Sequence, residues 1–330
     1  MVNALNIGNS KELYKFMQNK ALWYRQFGQP KTVLQLESSL IPQITDSELL
    51  VKMHMAPINP SDLIPITGAY SHRLTLPLIA GYEGIGTVIK ANNPTLIGKR
   101  VLPLRTSGTW QNYVICDANW VIEVPEFIRD ELACRGYINP LAAYVMLNQC
   151  DLKDKKIIIT AAGSSCANII AQWAYQLGAK RVVGIYRSAK HISKLTSLGV
   201  IPIAISDYHC ITHYALDSHY VFDAVGGDLA TLLLQSLSRN AKFLSYGLLS
   251  GKMYQIKPDN ILPTRFHLRD YLADVTKVQW QDDFKQIWQR LNITQLADIQ
   301  HFQLTDWRNA LDYFDIIGRQ TKPVLVMENE

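Results

Sequence analysis

The residues best suited to chemistry begin with a turn. In IIITAAGSSCANIIAQWA, Ile157 to Ala174, an apolar β-like run passes through Ala161, Ala162, Gly163, Ser164 and Ser165 into a helical pattern. Such a turn leaves backbone N–H groups free at a helix start, and the helix dipole and serine hydroxyls there favour a phosphate. The G-x-G-x-x-G spacing is missing. Glycine serves these turns only by lacking a side chain, however, and every residue here is small. About twenty positions on, RVVGIYRSAK ends in Tyr186 and Arg187, with Lys190 one turn later. An acidic residue at that strand end would bind ribose hydroxyls, whereas an arginine accommodates a 2′-phosphate, so the pair of signals predicts NADPH. The same residues also fit a plain strand–helix junction followed by a solvated basic helix start.

The elements that must position this turn follow from periodicity. Apolar runs IIIT, RVVGIY, IPIAIS, YVFDAV and AKFLSYG recur at roughly twenty-residue intervals from Ile157, separated by helical segments, as βαβ units of a parallel sheet require. Ile169, Trp173 and Leu177 share one face of the first helix, and Ser188 stands as N-cap of the second, SAKHISKLTSLG, which Gly199 stops. Before residue 124 the pattern is short and β-like, with Val51, Met53 and Met55 alternating on one face of LLVKMHMAP. After Val275 the tail predicts one amphipathic helix around QDDFKQIWQRL and a final strand PVLVM.

The chain of 330 residues is 48% hydrophobic and 18% charged, enough to bury two cores. Its net charge of +5 is dispersed and not gathered into basic runs, which argues against nucleic acid and for an anionic small molecule. Five widely spaced cysteines do not make a disulfide framework, so reduced thiols and a cytoplasmic address are expected. No segment approaches the ~20 apolar residues that span a bilayer, and no membrane partner is expected. The first twenty residues carry Glu12 and no apolar stretch typical of a signal peptide, and read as a short helical extension.

Several stretches together resemble a known family. APINPSDLIPITGAY, LPLIAGYEGIGTVIK, GTWQNYVIC, INPLAAYVML, VFDAVGG and SYGLLSGK are similar to segments of the zinc-independent medium-chain dehydrogenases/reductases, in the branch of 2-enoyl thioester and quinone reductases. The resemblance runs from Ala21 to Met327. It implies a chaperonin-10-like β domain plus a Rossmann domain with a doubly wound parallel sheet, an α/β architecture. The β domain would span residues 1–128 and, after a Rossmann domain of 129–272, resume over 273–330. A cleft between the two would hold NADPH and substrate, and two copies would pair as a homodimer.

The resemblance also carries roles. Tyr70 in TGAY matches the enoyl reductase tyrosine placed to donate a proton, and Asn59 would hydrogen-bond near the nicotinamide or substrate carbonyl. Trp110 and Tyr144 resemble pocket positions, while Gly226 would admit the nucleotide backbone-close and Gly247 would lie near the nicotinamide face. Each also has a plain structural reading, as turn or core. Zinc-dependent relatives place cysteine and histidine where Asn59 and Tyr82 stand, which is no zinc set. The cluster His209, Cys210 and His213 in DYHCITH lacks a fourth ligand nearby, so no metal is expected. The chain departs from the family pattern at Ser165 and Ala167, at Thr160, at Asp270, and at Pro323 near the usual lysine. The leading expectation is NADPH-dependent reduction of activated C=C bonds, 2-enoyl thioesters first. Quinone reduction and a catalytically silent NADPH-binding protein stand as alternatives.

Overall fold

The computed structural model describes residues 18–106 and 108–327. The expected N-terminal extension lies outside these residues apart from Gln18–Lys20, which open the first strand.

Three sheets organise the chain. Strands β1 (Gln18–Tyr24), β2 (Leu34–Leu40) and β4 (Leu78–Ile79) form a small one, in the order β2-β1-β4. The second contains β3 (Glu48–Pro57), β5 (Ile85–Ala91), β6 (Arg100–Leu102) and β8 (Ile122–Glu123), with β7 (Tyr113–Asp117) pairing with β3 alone. The third is six-stranded and parallel: β9 (Lys156–Ile159), β10 (Arg181–Tyr186), β11 (Ile201–Ala204), β12 (Tyr220–Asp223), β13 (Lys242–Ser245) and β14 (Thr264–Arg265), in the order β11-β10-β9-β12-β13-β14. That order reverses direction beside β9, the doubly wound topology whose switch point forms a crevice at the strand carboxyl ends. Late in the chain, β15 (Ile299–Gln303) and β16 (Lys322–Val326) return to the second sheet, β16 pairing antiparallel with β3.

Burial explains the strand patterns. Ile157, Ile158 and Ile159 are all buried because helices cover both faces of the parallel sheet. In β3 the expected alternation gives way: Leu49, Leu50 and Val51 are buried in succession, and the register shifts at Leu50/Val51 and Met53/Met55. Both faces of β3 are covered there, with Leu50 meeting Ile41 and Tyr113 in a small core of its own. Met55 is only half-buried.

Helices α1 (Pro60–Leu63), α2 (Ile138–Asn148), α3 (Ser165–Gln176), α4 (Ile192–Ser197), α5 (Tyr208–Leu216), α6 (Gly227–Ser236), α7 (Leu268–Asp274), α8 (Lys277–Asn292) and α9 (Trp307–Asp315) complete the elements needed below. The predicted amphipathic helix is α8, with Trp280, Phe284, Ile287, Trp288 and Leu291 buried along one stripe. One apolar core runs from Ile85, Leu102 and Ile122 through α2 to Ile157 and Trp173, joining the two large sheets and fixing the cleft between them. Ser188 does not cap its helix: a 3₁₀ turn, Ala189–His191, intervenes, and Ser188 lies against Gly318 of the loop before β16.

Candidate active site

The β-domain side of the cleft is built on a buried polar knot. Asn59 ends the extended stretch before α1, and Pro60 sets the first helical residue. The Asn59 backbone N–H donates to Asp62 Oδ2 at 2.7 Å, while Asp62 Oδ1 accepts from Tyr82 N–H at 2.9 Å, so one carboxyl ties the two segments together. The Asn59 amide is held at both ends. Its Nδ2 donates to Glu83 Oε1 at 2.6 Å, and its Oδ1 accepts from Lys322 Nζ at 2.6 Å and from Asn139 Nδ2 at 3.3 Å. Glu83 Oε2 in turn accepts the Tyr137 and Ile138 N–H groups at 3.1 and 2.8 Å, at the start of α2.

Burial sets the electrostatics of this knot. Asp62 is pushed up to about 7, first by desolvation and then by the neighbouring Glu83 carboxylate. Glu83 is likewise raised by burial, against its hydrogen bonds and the charge of Lys322. Desolvation draws Lys322 down, and Glu83 and Asp62 oppose it. Pro323, next in sequence, serves the sheet through its carbonyl, which accepts from Ile58 N–H at 3.1 Å. Asn59 is only 1% exposed, its amide held by Glu83, Lys322 and Asn139.

Next in sequence to the knot residues Glu83 and Ile138, Tyr82 and Tyr137 line a cavity of about 340 Å³ together with Arg105, Thr106, Arg269 and Leu272. Tyr82 occupies the position where zinc-dependent relatives place histidine, and burial followed by the Asp62 charge raises its hydroxyl. Tyr70 is 38% exposed, close enough to Tyr82 to act on it electrostatically, and the Arg73 guanidinium lies over its ring at 4.3 Å. Trp110 is not a pocket wall. It is buried in the β-domain core behind Gly81, with Nε1 donating to the Pro57 carbonyl at 3.2 Å. Tyr144 packs towards α8, beside Asp283 and under Arg290, whose guanidinium is 5.6 Å from its ring.

The nucleotide end lies at the carboxyl edge of the parallel sheet. Ser164 caps α3, its hydroxyl accepting Ala167 N–H at 3.2 Å, and among the described residues the Ser165 and Cys166 N–H groups meet no acceptor. Those free donors suit a pyrophosphate. Ala161 adopts φ 48°, a left-handed conformation that glycine usually supplies. Gly163 has its Cβ side filled by the His191 ring, so its lack of a side chain makes room for that imidazole. Arg187 and Lys190 are exposed at the end of β10 beside half-buried Tyr186. Gln320 Nε2 donates to the Lys190 carbonyl at 3.1 Å, bringing the loop before β16 to this edge.

Across the switch point, Thr160 donates to Asp223 Oδ1 at 2.7 Å and accepts Ala224 N–H at 2.9 Å, knitting β9 to β12. Gly226 has φ 71°, and a Cβ there would meet Leu248 Cδ1 at 2.5 Å and the Lys252 carbonyl at 2.7 Å. Its glycine therefore serves contact with the 248–252 loop, where backbone-close nucleotide approach was expected. Gly247 packs within 2.9 Å of the Ala224 carbonyl by the same measure. His209, Cys210 and His213 lie on α5, where Asp207 caps the helix through Cys210 N–H at 3.0 Å. Among the described residues no three such side chains group as metal ligands.

The comparisons with known proteins agree with this fold. Residues 45–126 match the alcohol dehydrogenase GroES-like domain, the same architecture as a chaperonin-10 fold. The mitochondrial enoyl-[acyl-carrier-protein] reductase of Homo sapiens is 28% identical over 292 residues, covering 81% of this chain and 76% of the relative. Its counterpart from Caenorhabditis elegans is 30% identical over 259 residues, covering 74% and 75%. A solved structure from Bacillus thuringiensis, provisionally named an NADPH:quinone reductase, is 35% identical with a TM-score of 0.88, covering 94% of this chain and 99% of that one. The chain belongs to the medium-chain dehydrogenase/reductase family, in its enoyl and quinone reductase branch. Within that family's two-domain frame, the groups that sequence reasoning missed are Glu83, Asp62, Lys322, Arg105, Arg269 and His191. Asp62 and Glu83 had a sequence signal, in INPSD and GYEG, where attention fell on the asparagine and the tyrosine.

Proposed function

We propose that the protein is an NADPH-dependent reductase of activated C=C bonds, with 2-enoyl thioesters its first substrates. The observation that supports this reading is a cavity lined by Tyr82 and Tyr137, with Tyr70 near enough to Tyr82 to act on its hydroxyl. When bound, NADPH supplies the hydride that reaches the β-carbon. The chain's own work is to hold and to protonate. The free N–H groups at the start of α3 suit the pyrophosphate, and Arg187 and Lys190 suit a 2′-phosphate. Asn59, pinned between Glu83 and Lys322, keeps the floor of the site rigid. Tyr70 is the proton donor for the α-carbon, with Arg73 over its ring.

The test is NADPH oxidation with crotonyl-CoA by wild type and Tyr70→Phe. A loss of two to three orders of magnitude, roughly the usual weight of a general acid, is expected in the variant; equal rates would remove Tyr70 from the chemistry. Quinone reduction is the second reading, favoured by the likeness to the Bacillus thuringiensis chain. It predicts turnover of duroquinone that is insensitive to Tyr70→Phe. Nucleotide binding with no turnover on either substrate would support the silent binder.

The finer assignments belong to the same reading. A homodimer is supported by the exposed apolar side chains of Leu249, Met253, Ile256 and Leu262, which flank the edge strand β14. A β domain of residues 1–128 and 273–330 around a Rossmann domain of 129–272 is supported by the sheet memberships above. Five free cysteines suit a reducing compartment, which supports the cytoplasm, while the named relatives are mitochondrial enzymes. No helix of the described residues is long and apolar enough to cross a membrane.

A further inference from the structure

Two arginines from separate segments of the chain line one cavity. Arg105 comes from the loop after β6 and Arg269 from the first turn of α7, yet both line the same space. Neither pairs with a carboxylate among the described residues; Arg105 has instead the Trp120 ring, 4.0 Å from its guanidinium carbon. Two like charges on one cavity repel unless something anionic joins them, and a guanidinium fork matches phosphate or carboxylate. Arg105 also holds φ 58°, a left-handed conformation costly for a long side chain and concentrated at binding sites.

Resting on the reading of this cleft as the substrate site, we propose that Arg105 and Arg269 clamp an anion across it, so that the protein selects electrophiles carrying their own phosphate or carboxylate over neutral ones with the same reacting bond. The matching of charge decides specificity more than turnover.

Two matched pairs of substrates test the clamp: crotonyl-CoA against the neutral crotonyl N-acetylcysteamine thioester, and 4-oxo-2-pentenoate against 3-penten-2-one. In wild type the anionic member of at least one pair is preferred in kcat/KM by about tenfold or more, falling with added salt. Arg269→Ala and Arg105→Ala each cut that ratio about tenfold, and Arg269→Lys restores part of it. Preference within the thioester pair alone identifies phosphate as the anion, and within the enone pair alone identifies carboxylate. No preference in wild type, or a ratio unchanged in both alanine variants, overturns the clamp. Calorimetric titration of free coenzyme A and of 4-oxopentanoate into the NADP-loaded protein reads the clamp without turnover. Arginine-dependent binding with no reduction of any substrate sinks the reductase reading and leaves the clamp standing; reduction with arginine-independent ratios sinks the clamp alone.

Discussion

Lys322 Nζ lies 2.6 Å from Asn59 Oδ1, although 263 residues separate the two in the chain. The lysine is buried, and through Asn59 it answers a buried glutamate, so removing it leaves that negative charge uncompensated and the Asn59 amide oxygen with Asn139 as its donor. Lys322→Met should destabilise the protein by roughly 3–5 kcal/mol in urea unfolding, the usual cost of breaking a buried ion arrangement on one side. The double variant Lys322→Met with Glu83→Gln should recover a good part of that loss. A double variant no better than the single one would show that Glu83 does not depend on the lysine.

Stability should also fall as pH rises through neutrality. Asp62 is raised from an ordinary 3.8 to about 7 by burial and by Glu83, so the folded state holds a proton that the unfolded chain releases. Its contribution is present in full below the unfolded value and is lost as pH rises through the folded one. Lys322, shifted downward, acts in the opposite sense in a more alkaline window. Urea midpoints of wild type should decline between about pH 5 and about pH 8, and Asp62→Asn should flatten that decline. Parallel slopes in the two proteins would move the titration elsewhere.

The phosphate turn predicts a stabilising substitution. Ala161 sits at φ 48° without the freedom of glycine. Ala161→Gly relieves the left-handed strain but loosens the unfolded chain, for a net gain of roughly 0.5–1 kcal/mol. Thermal unfolding without nucleotide checks it, and a lowered midpoint would mean that the alanine methyl packs usefully.

Cofactor choice can be tested at the end of β10. Arg187→Ala should weaken NADPH about tenfold, the worth of one exposed charge-assisted contact, while leaving NADH nearly unchanged. Fluorescence titration with both nucleotides measures this. An equal effect on the two would assign the 2′-phosphate to other side chains.

The parallel sheet was legible because each strand declares itself locally: Ile157–Ile159 and Arg181–Tyr186 are short apolar runs at βαβ spacing, and Arg187 follows directly. The β-domain half of the site was not. Asn59 and Tyr82 could be named, but their partners come from distant segments, Glu83 facing α2 and Lys322 arriving from beside β15, and no spacing rule links such residues. Trp110 misled for a related reason. An aromatic after Gly-Thr looks the same in sequence whether it faces a pocket or, as here, backs Gly81 from within the core. At Gly226 and Gly163 the groups that crowd the Cβ side are the chain's own Lys252 carbonyl and His191 ring, contacts that no local spacing announces.

The late return of β16 also bears on biosynthesis. Until translation has passed Lys322, Asp62 and Glu83 stand as two carboxyls awaiting the ammonium of Lys322, and β3 lacks its partner at Met55–Pro57. A nascent chain halted anywhere in the Rossmann segment would expose that edge to chaperones or to other chains. Ribosome-bound intermediates should therefore gain a protease-resistant β domain only after the nucleotide-binding half has emerged.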